Sequence, residues 1–462
     1  MRKNLLSLII LAISFLVPKA VFAHAFGQKY TLPLPVWLYV FGGGAAIIAS
    51  FLIIGYFIRP GEHDPLQKYV NLSKWRFFRN LDKPWLVNTA KLLGLALFAA
   101  TVSAGMIGSQ NPNLNFAPTF FWIVFLLGFT YTVAIFGDLW RVVNPLKTIA
   151  GWLAERPLVP YPKKWGYLPA LLFYFFIIWL ELLSGGSGVI PQRLALYMQF
   201  YAAISFLGAI TFGIQDWFRY GDFFSVFFRT IGQAAPFSYE DGQFRLRWPF
   251  VGLFKEQAER FSLLMFIIFM LSSTAFDGFR ETVDASKIIS LLTFTSSSQI
   301  KQLVMLALVT LLFLLAYFAA IWVMELMVKT DKKPGELALM FAFSLIPIAL
   351  VYNVAHYFTL FLVQGQKIIA LASDPWNLGW NLFGTRDFEV NVGIIGAKAT
   401  WNLQIAFILI GHIAAVYIAH LVALKIYRSA RPAMISQIPM LVVMVIYTMT
   451  GLWILSQPLT IG

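Results

Sequence analysis

Long apolar stretches alternate with short polar connections along almost the whole chain. The apolar stretches have the length that an α-helix needs to cross about 30 Å of hydrocarbon, and they predict ten transmembrane helices. Their expected limits are 34–58, 85–108, 118–137, 167–184, 193–214, 260–276, 303–328, 337–363, 401–424 and 437–456. The pattern predicts an all-α fold, a polytopic bundle of transmembrane helices that forms a single domain over residues 24–462.

The first 23 residues have the pattern of a cleaved signal peptide. Arg2 and Lys3 precede the apolar run 5–17, which is short for a helix that spans a bilayer. Residues 21–23 (Val-Phe-Ala) are close to the small-x-small pattern that precedes cleavage. Cleavage after Ala23 would make His24 the first residue of the mature chain.

Charge placement predicts the orientation of the bundle. The formal net charge is +14, and the connections expected in the cytoplasm hold 23 Lys and Arg, against 8 in those expected outside. Because Lys and Arg favour cytoplasmic connections, we expect a bacterial inner-membrane protein with both termini external. Cytoplasmic connections of a protein embedded in the lipid bilayer then explain the basic charge without nucleic acid. The cytoplasmic segments are 59–84, 138–165, 215–260, 329–336 and 425–436, and the external ones are 24–33, 109–117, 185–193, 277–302 and 364–400.

The two longest connections carry patterns of their own. In the cytoplasmic loop 215–260, the aromatic run 220–229 predicts a helix that lies in the headgroup region. Residues 237–247, which alternate around an Asp-Gly pair, predict a β-hairpin. In the external loop 364–400, Trp and turn residues are mixed, which favours an outer aromatic belt. A lid that faces a substrate is the alternative.

A four-residue motif occurs twice, at the cytoplasmic ends of the third and fifth predicted spans. Residues 138–141 read Asp-Leu-Trp-Arg, and residues 216–219 read Asp-Trp-Phe-Arg. The spacing favours an ion pair between the Asp and the Arg of each motif, and a parallel repeat of a transporter is the alternative. Glu181, Glu325 and Lys91 lie near span ends, where headgroup water is within reach, and require no functional explanation.

Histidines are the candidates for chemistry, because the chain has no cysteine and five histidines. It also lacks the phosphate-loop, zinc-helix and nucleophile-elbow motifs. His356 lies in the outer third of the eighth predicted span, and His412 lies near the middle of the ninth. His420 is eight residues from His412, about 12 Å along a helix, and cannot share an ion with it. His63 is expected in cytoplasmic solvent.

We predict that His24, His356 and His412 form one metal site in the outer half of the bundle. An amino-terminal histidine chelates copper, and imidazole is a good ligand for copper and zinc. A copper or zinc ion is therefore the expected cofactor, and an open coordination position would activate water. Two alternatives remain open. One is a single b-type haem held between His356 and His412, and the other is hydrogen bonds that join each imidazole to a neighbouring helix.

Four stretches of the chain resemble a known family. Residues 24–30, 32–39, 363–366 and 447–453 are similar to bacterial membrane proteins of the fenitrothion hydrolase family. The resemblance implies metal-assisted or otherwise activated water that attacks an organophosphate-like substrate at the external face. It carries over no catalytic residue. The alternative function is a membrane transporter or a copper-handling permease, and a partner membrane subunit is compatible with both functions.

Overall fold

The computed structural model describes residues 34–59, 66, 68–153 and 156–457, which fold into a bundle of helices. Among these residues, nine helices are long and apolar enough to cross a membrane, and a shorter apolar helix completes the predicted ten. The bounds are α1 Val36–Phe57, α2 Pro84–Ile107, α3 Phe116–Phe136, α4 Leu168–Leu183, α5 Pro191–Phe212, α6 Phe261–Arg280, α7 Ser298–Met327, α8 Pro334–Gln364, α9 Ala397–Tyr427 and α10 Ala430–Ser456. The all-α polytopic fold is confirmed. The predicted signal peptide and His24 lie outside the described residues.

Each predicted span corresponds to one of these helices. The difference from prediction that matters most for the functional site is the position at which α6 ends. The sequence predicts that this helix ends at residue 276, whereas it continues to Arg280. An ion pair of 2.9 Å between Arg280 Nε and Asp277 Oδ1 stabilises the added turn, because residues three apart lie on one face of a helix. A carboxylate expected in a connection is therefore part of the bundle.

The helices pack as two groups around two enclosed helices. α1, α7 and α9 pack against α10, while α2 packs against α5. α6 and α8 are the most enclosed of the long helices, and fully buried side chains such as Phe266, Phe276 and Ile346 lie on them. Large apolar side chains such as Leu312 and Leu315 on α7 point outward and are exposed. An apolar outer surface of this kind matches lipid rather than water.

The connections lie at two ends of the bundle. We call the end with the described parts of segments 59–84, 138–165, 215–260, 329–336 and 425–436 the basic face, and the other end the opposite face. The short helices on these connections are Leu72–Lys74, Arg76–Arg79, Pro112–Leu114, Trp140–Val143, Pro145–Leu153, Ser187–Val189, Ile214–Asp216, Trp217–Gly221, Phe223–Gly232, Val251–Phe254, Val283–Leu291 and Lys367–Ser373.

A small antiparallel sheet lies at the basic face, in the order β1-β3-β2. The strands are β1 Tyr69–Asn71, β2 Phe237–Glu240 and β3 Gln243–Arg247. The predicted hairpin is confirmed as β2 and β3, since Asp241 and Gly242 both have positive φ, as a tight hairpin turn requires. β1 comes from the connection 59–84 and pairs with β3, which ties two connections of the basic face together.

The helix predicted in the loop 215–260 exists, and the protein encloses it. The helix Phe223–Gly232 packs into the bundle, where Phe223 and Phe228 are fully buried. Phe223 packs against Tyr174 and Phe228 against Phe125. Residues 220–229 are therefore largely surrounded by protein, and their position at the level of the headgroups stays a prediction. A helix with aromatic residues on most of its faces buries more surface inside the protein than at an interface.

Close packing of α8 and α9 yields a testable prediction at Gly411. A Cβ at this position would overlap the Val351 side chain and would lie 2.8 Å from the Pro347 carbonyl oxygen. Gly411→Ala should therefore lower the free energy of unfolding by about 1–3 kcal/mol, the usual effect of overpacking. Chemical unfolding in detergent, followed by circular dichroism, measures this change.

Gly42→Ala is the matched control, because nothing lies within 4 Å of a Cβ at Gly42. It should leave stability unchanged or raise it by up to about 1 kcal/mol, the difference in helix propensity. Equal unfolding curves for the Gly411 variant and the wild type would contradict the close approach of α8 and α9.

Candidate functional site

A buried carboxylate near the opposite face organises a polar cluster in the apolar bundle. Asp277, in the last turn of α6, is 5% exposed. Its Oδ2 lies 2.9 Å from His356 Nε2 and accepts a hydrogen bond of 2.6 Å from the Tyr357 hydroxyl. Its Oδ1 accepts from Arg280 Nε at 2.9 Å. Three donors thus surround one buried acceptor, as the burial of a charge requires.

Arg280 connects this carboxylate to two further elements. Its Nη1 donates a 2.7 Å hydrogen bond to the Leu182 carbonyl oxygen, near the end of α4. Its Nη2 forms an ion pair of 3.1 Å with Glu281. The planar guanidinium can serve several acceptors at once, so Arg280 holds α4 and α6 together at the level of Asp277.

Glu181 and Tyr352 complete the cluster. Glu181 lies in the π-helical turn Trp179–Leu183, a type of irregular turn that is frequent at functional sites. The Tyr357 hydroxyl lies 3.5 Å from Glu181 Oε1, so this hydroxyl stands between two carboxylates. The Tyr352 hydroxyl is buried beside the cluster and has no hydrogen-bond partner in the described part of the chain. It is an unused polar group next to His356.

The cluster lies in the half of the bundle next to the opposite face. Asp277 is three residues from the end of α6, which corresponds to about 4.5 Å along the helix axis. His356 is eight residues before the end of α8 at Gln364, about 12 Å along that axis. The predicted outer-third position of His356 is therefore consistent with the helix that carries it.

His356 has the bonding pattern of a proton carrier. Because the facing Asp277 oxygen is an acceptor when ionised, Nε2 carries the shared hydrogen. Nδ1 has no hydrogen-bond partner among the described residues, and the side chain is 19% exposed. A carboxylate that orients an imidazole whose other nitrogen is free is suited to general acid–base chemistry.

The other two described histidines are held by structural bonds. His412 is buried, and its Nδ1 donates to the Ile408 carbonyl oxygen of its own helix at 2.8 Å. His420 Nε2 donates to the Ile58 carbonyl oxygen at 3.3 Å, while Gln437 donates to His420 Nδ1 at 2.9 Å. His420, which contacts the end of α1 and a side chain of α10, matches the expectation that imidazoles bond neighbouring helices, whereas His412 bonds its own helix.

The structure separates His356 from His412, two of the three predicted metal ligands. Gln404 of α9 donates to the Ala355 carbonyl oxygen of α8, which places His356 at the level of Gln404. His412 is eight residues further along α9, so the two imidazoles are about 12 Å apart along the axis. Among the described residues no three His, Asp or Glu side chains are arranged to hold a metal. His24 lies outside those residues, so its role stays a prediction.

Sequence analysis does not identify four of the cluster's side chains as functional candidates. Asp277 and Arg280 fall beyond the predicted end of α6, and Glu181 lies near a span end where a charge needs no special explanation. Tyr357 carries no distinguishing pattern. The available signal is the Asp-x-x-Arg spacing at 277–280, which follows directly on an apolar helix and permits an ion pair within one turn.

A polar cavity of about 470 Å³ opens at the basic face, and both copies of the four-residue motif line it. The ion pairs predicted within the motifs are absent. Asp138 Oδ1 instead accepts from the backbone N–H of Arg141 at 3.3 Å, while Arg219 pairs with Glu259 at 2.7 Å. Sequence spacing predicts which residues share a helix face, but a closer partner on another segment competes for each charge.

An apolar cavity of about 530 Å³ lies beside the polar one, between α2, α3 and α5. Trp140 lines both cavities. The wall between the two cavities contains adjacent residues that face opposite sides. Leu146 and Phe224 face the apolar cavity, whereas the next residues, Lys147 and Ser225, face the polar one. The segments that follow α3 and α5 therefore separate a polar space from an apolar one.

Comparison of the chain with protein-family models, curated proteins and solved structures found no match.

The hydroxyl of Tyr357 can be tested directly. Tyr357→Phe removes the 2.6 Å hydrogen bond to Asp277 and keeps the ring. A hydrogen bond to a charged group contributes about 1.5–3 kcal/mol, and the free energy of unfolding should fall by that amount. Tyr56→Phe, on the exposed surface of α1, should change it by less than about 0.5 kcal/mol. Equal losses in both variants, measured by chemical unfolding in detergent, would contradict the assigned bond.

Proposed function

We propose that the protein is a proton-linked membrane transporter in which Asp277 and His356 take up and release the coupled proton. The observation that carries the proposal is the 2.9 Å contact between a carboxylate and an imidazole inside the bundle. Ionisable residues within transmembrane segments that pair with one another commonly mark proton relays or ion pathways. The predicted orientation would place this pair near the external side.

The proposed path consists of three steps between neighbouring groups. His356 Nδ1 accepts a proton from the opposite face, and Nε2 then passes its own proton to Asp277 Oδ2. The Tyr357 hydroxyl, which contacts both Asp277 and Glu181, exchanges the proton between the two carboxylates. Arg280 supplies the countercharge whenever Asp277 is ionised.

Interrupted helices support the transport proposal. α3 contains the π-helical segment Thr119–Phe129, α4 the turn Trp179–Leu183, and α8 the 3₁₀ turn Ala342–Leu345. Helices that are broken within the membrane are typical of transporters, where the freed backbone lines substrate and ion sites. The polar cavity at the basic face and the cluster at the opposite face give the bundle a polar site at each end.

Proton coupling is measurable in proteoliposomes that contain the purified protein. Concentration jumps of copper(II) chloride, sodium phosphate and an amino-acid mixture are applied in turn, with internal pH read by a trapped dye. At least one solute should drive proton movement in the wild type. Asp277→Asn should lower this signal at least about tenfold, because an amide cannot accept the proton at neutral pH.

His420→Gln serves as the control, since His420 bonds Ile58 and Gln437 far along α9 from the cluster. It should retain the wild-type signal. Wild-type protein without solute-dependent proton movement, or Asp277→Asn with undiminished movement, would contradict the transport proposal.

Hydrolysis at the same pair is a second candidate function. Asp277 orients His356 so that Nδ1 stays free, which is how a general base that activates water is arranged. The resemblance of residues 24–30 and 32–39 to the fenitrothion hydrolase family suggests the same reaction. A copper or zinc ion held by His356 and the mature amino terminus would supply the activated water in this proposal.

The hydrolase candidate predicts that purified protein releases a nitrophenolate from fenitrothion, which absorbance detects. His356→Ala should lower the rate about 10²–10⁴-fold, the usual contribution of a general base. Metal analysis should find copper or zinc that is lost in His24→Ala and in His356→Ala, while His420→Gln keeps it. Metal that survives both substitutions, or is absent from the wild type, would rule out the predicted metal site.

A further inference from the structure

The polar cavity at the basic face has the size and the walls of a small-molecule site. Its volume of about 470 Å³ falls in the range of ligand pockets, about 300–1,000 Å³. Charged side chains of both signs line it, together with the rings of Trp140, Tyr167 and Phe218. None of these residues belongs to the Asp277 cluster, so the cavity needs an explanation of its own.

Three cations of the cavity wall lack an anionic partner. Among the described residues, neither Arg141, Lys147 nor Arg229 forms an ion pair. Arg229 Nη2 donates to the Arg219 carbonyl oxygen at 2.6 Å, and the guanidinium of Arg141 lies 5.3 Å from the centre of the Tyr239 ring. These contacts leave further donors of both guanidiniums free, and the Lys147 ammonium has no hydrogen bond in the described structure.

The same wall carries four carboxylates, as many as its Arg and Lys side chains, but they are not all placed to pair with these three cations. Glu259 is bonded to Arg219 at 2.7 Å and to the Tyr167 hydroxyl at 3.3 Å, so it is already neutralised. Asp138 is the carboxylate that acts most strongly on Lys147. Burial raises the pKa of Asp138 and lowers that of Lys147, so both groups lack full solvation. Asp216 and Glu256 also line the cavity.

The two helices that carry Lys147 and Arg229 begin in the same way, with a side-chain cap. Asn144 Oδ1 accepts from the Lys147 backbone N–H at 3.0 Å and begins the helix Pro145–Leu153. Asp222 Oδ2 accepts from the Ser225 backbone N–H at 2.9 Å and begins the helix Phe223–Gly232. Asn144 Nδ2 lies 3.3 Å from Ser225 Oγ, which joins the two helix starts. The N-terminal ends of two capped helices therefore meet near Lys147, and the Asp222 carboxylate already offsets the positive end of the second helix.

We propose that this cavity binds a phosphate-type oxyanion, with Lys147, Arg229 and Arg141 as its ligands. Arg and Lys are the side chains that bind phosphate oxygens, and these three are the cations of the described lining that no ion pair occupies. This site is independent of the proposed proton relay. It holds whether the chain is a transporter or a hydrolase.

The oxyanion has two chemical sources that the structure accommodates. The apolar cavity of about 530 Å³ shares Trp140 with the polar one, so a lipid could place its headgroup phosphate beside Lys147 and its chain beside Leu146 and Phe224. A water-soluble phosphate ester could instead enter from the basic face and leave the apolar cavity to bilayer lipid.

Binding to the full chain in nanodiscs of neutral phosphatidylcholine distinguishes these sources. Glycerol 3-phosphate, added as the soluble probe, should raise the unfolding temperature saturably if the ligand is water-soluble. Nanodiscs with added phosphatidate, analysed by native mass spectrometry, should retain that lipid if the ligand is a headgroup. Lys147→Gln should weaken whichever binding occurs about tenfold, as expected for the loss of one charge-assisted hydrogen bond.

Lys163→Gln is the matched control, because Lys163 is an exposed lysine of the same face that does not line the cavity. It should bind like the wild type, and Lys147→Arg should restore most of the affinity that Lys147→Gln loses. Failure of both probes to bind saturably would overturn the proposal. So would equal affinities of the Lys147→Gln and Lys163→Gln variants.

Discussion

Inside a bilayer, a charged group has no water to solvate it and must find its partners within the protein. Asp277 meets this constraint with donors from α6 and α8, namely Arg280, His356 and Tyr357. Arg280 then reaches the Leu182 carbonyl oxygen, so the solvation of one carboxylate fixes three helices relative to one another. Removing any donor would leave a buried charge short of partners, which is why the cluster and the packing of α4, α6 and α8 depend on each other.

The same requirement shapes the basic face, where the chain leaves α3 and α5. Gly137 and Gly213 end these helices with φ near +86° and +88°, a conformation that side chains with a Cβ rarely adopt. Each is followed by an Asp-x-x-Arg segment, and six residues after each Asp comes a helix-capping side chain, Asn144 or Asp222. The repeat therefore extends beyond four residues, and its second half satisfies the free backbone N–H groups of two short helices.

Local sequence was sufficient for the ten helices and the hairpin, because apolar run length and an Asp-Gly turn are local signals. It could not locate Phe223–Gly232, since a lipid-facing surface and a protein interior are both apolar. Asp277 was expected in a connection because the apolar run stops at residue 276, whereas its partner Arg280 lies one turn further on. Sequence analysis also predicts only where a residue lies along its own helix, and not which residue of a neighbouring helix it faces. The register of α8 against α9, which separates His356 from His412, is set by packing at Gly411 and by the Gln404 bond.

Partner chemistry, rather than depth in the membrane, separates the three described histidines. A carbonyl or an amide holds His412 and His420, whereas His356 faces a carboxylate with which it can exchange a proton. The helix that carries His356 also carries Phe361, which packs against Gly128 and the Tyr131 ring of α3. α3 leads directly into the cavity wall at Asp138. The packed pair of α3 and α8 therefore joins the Asp277 cluster to the polar cavity through contiguous contacts.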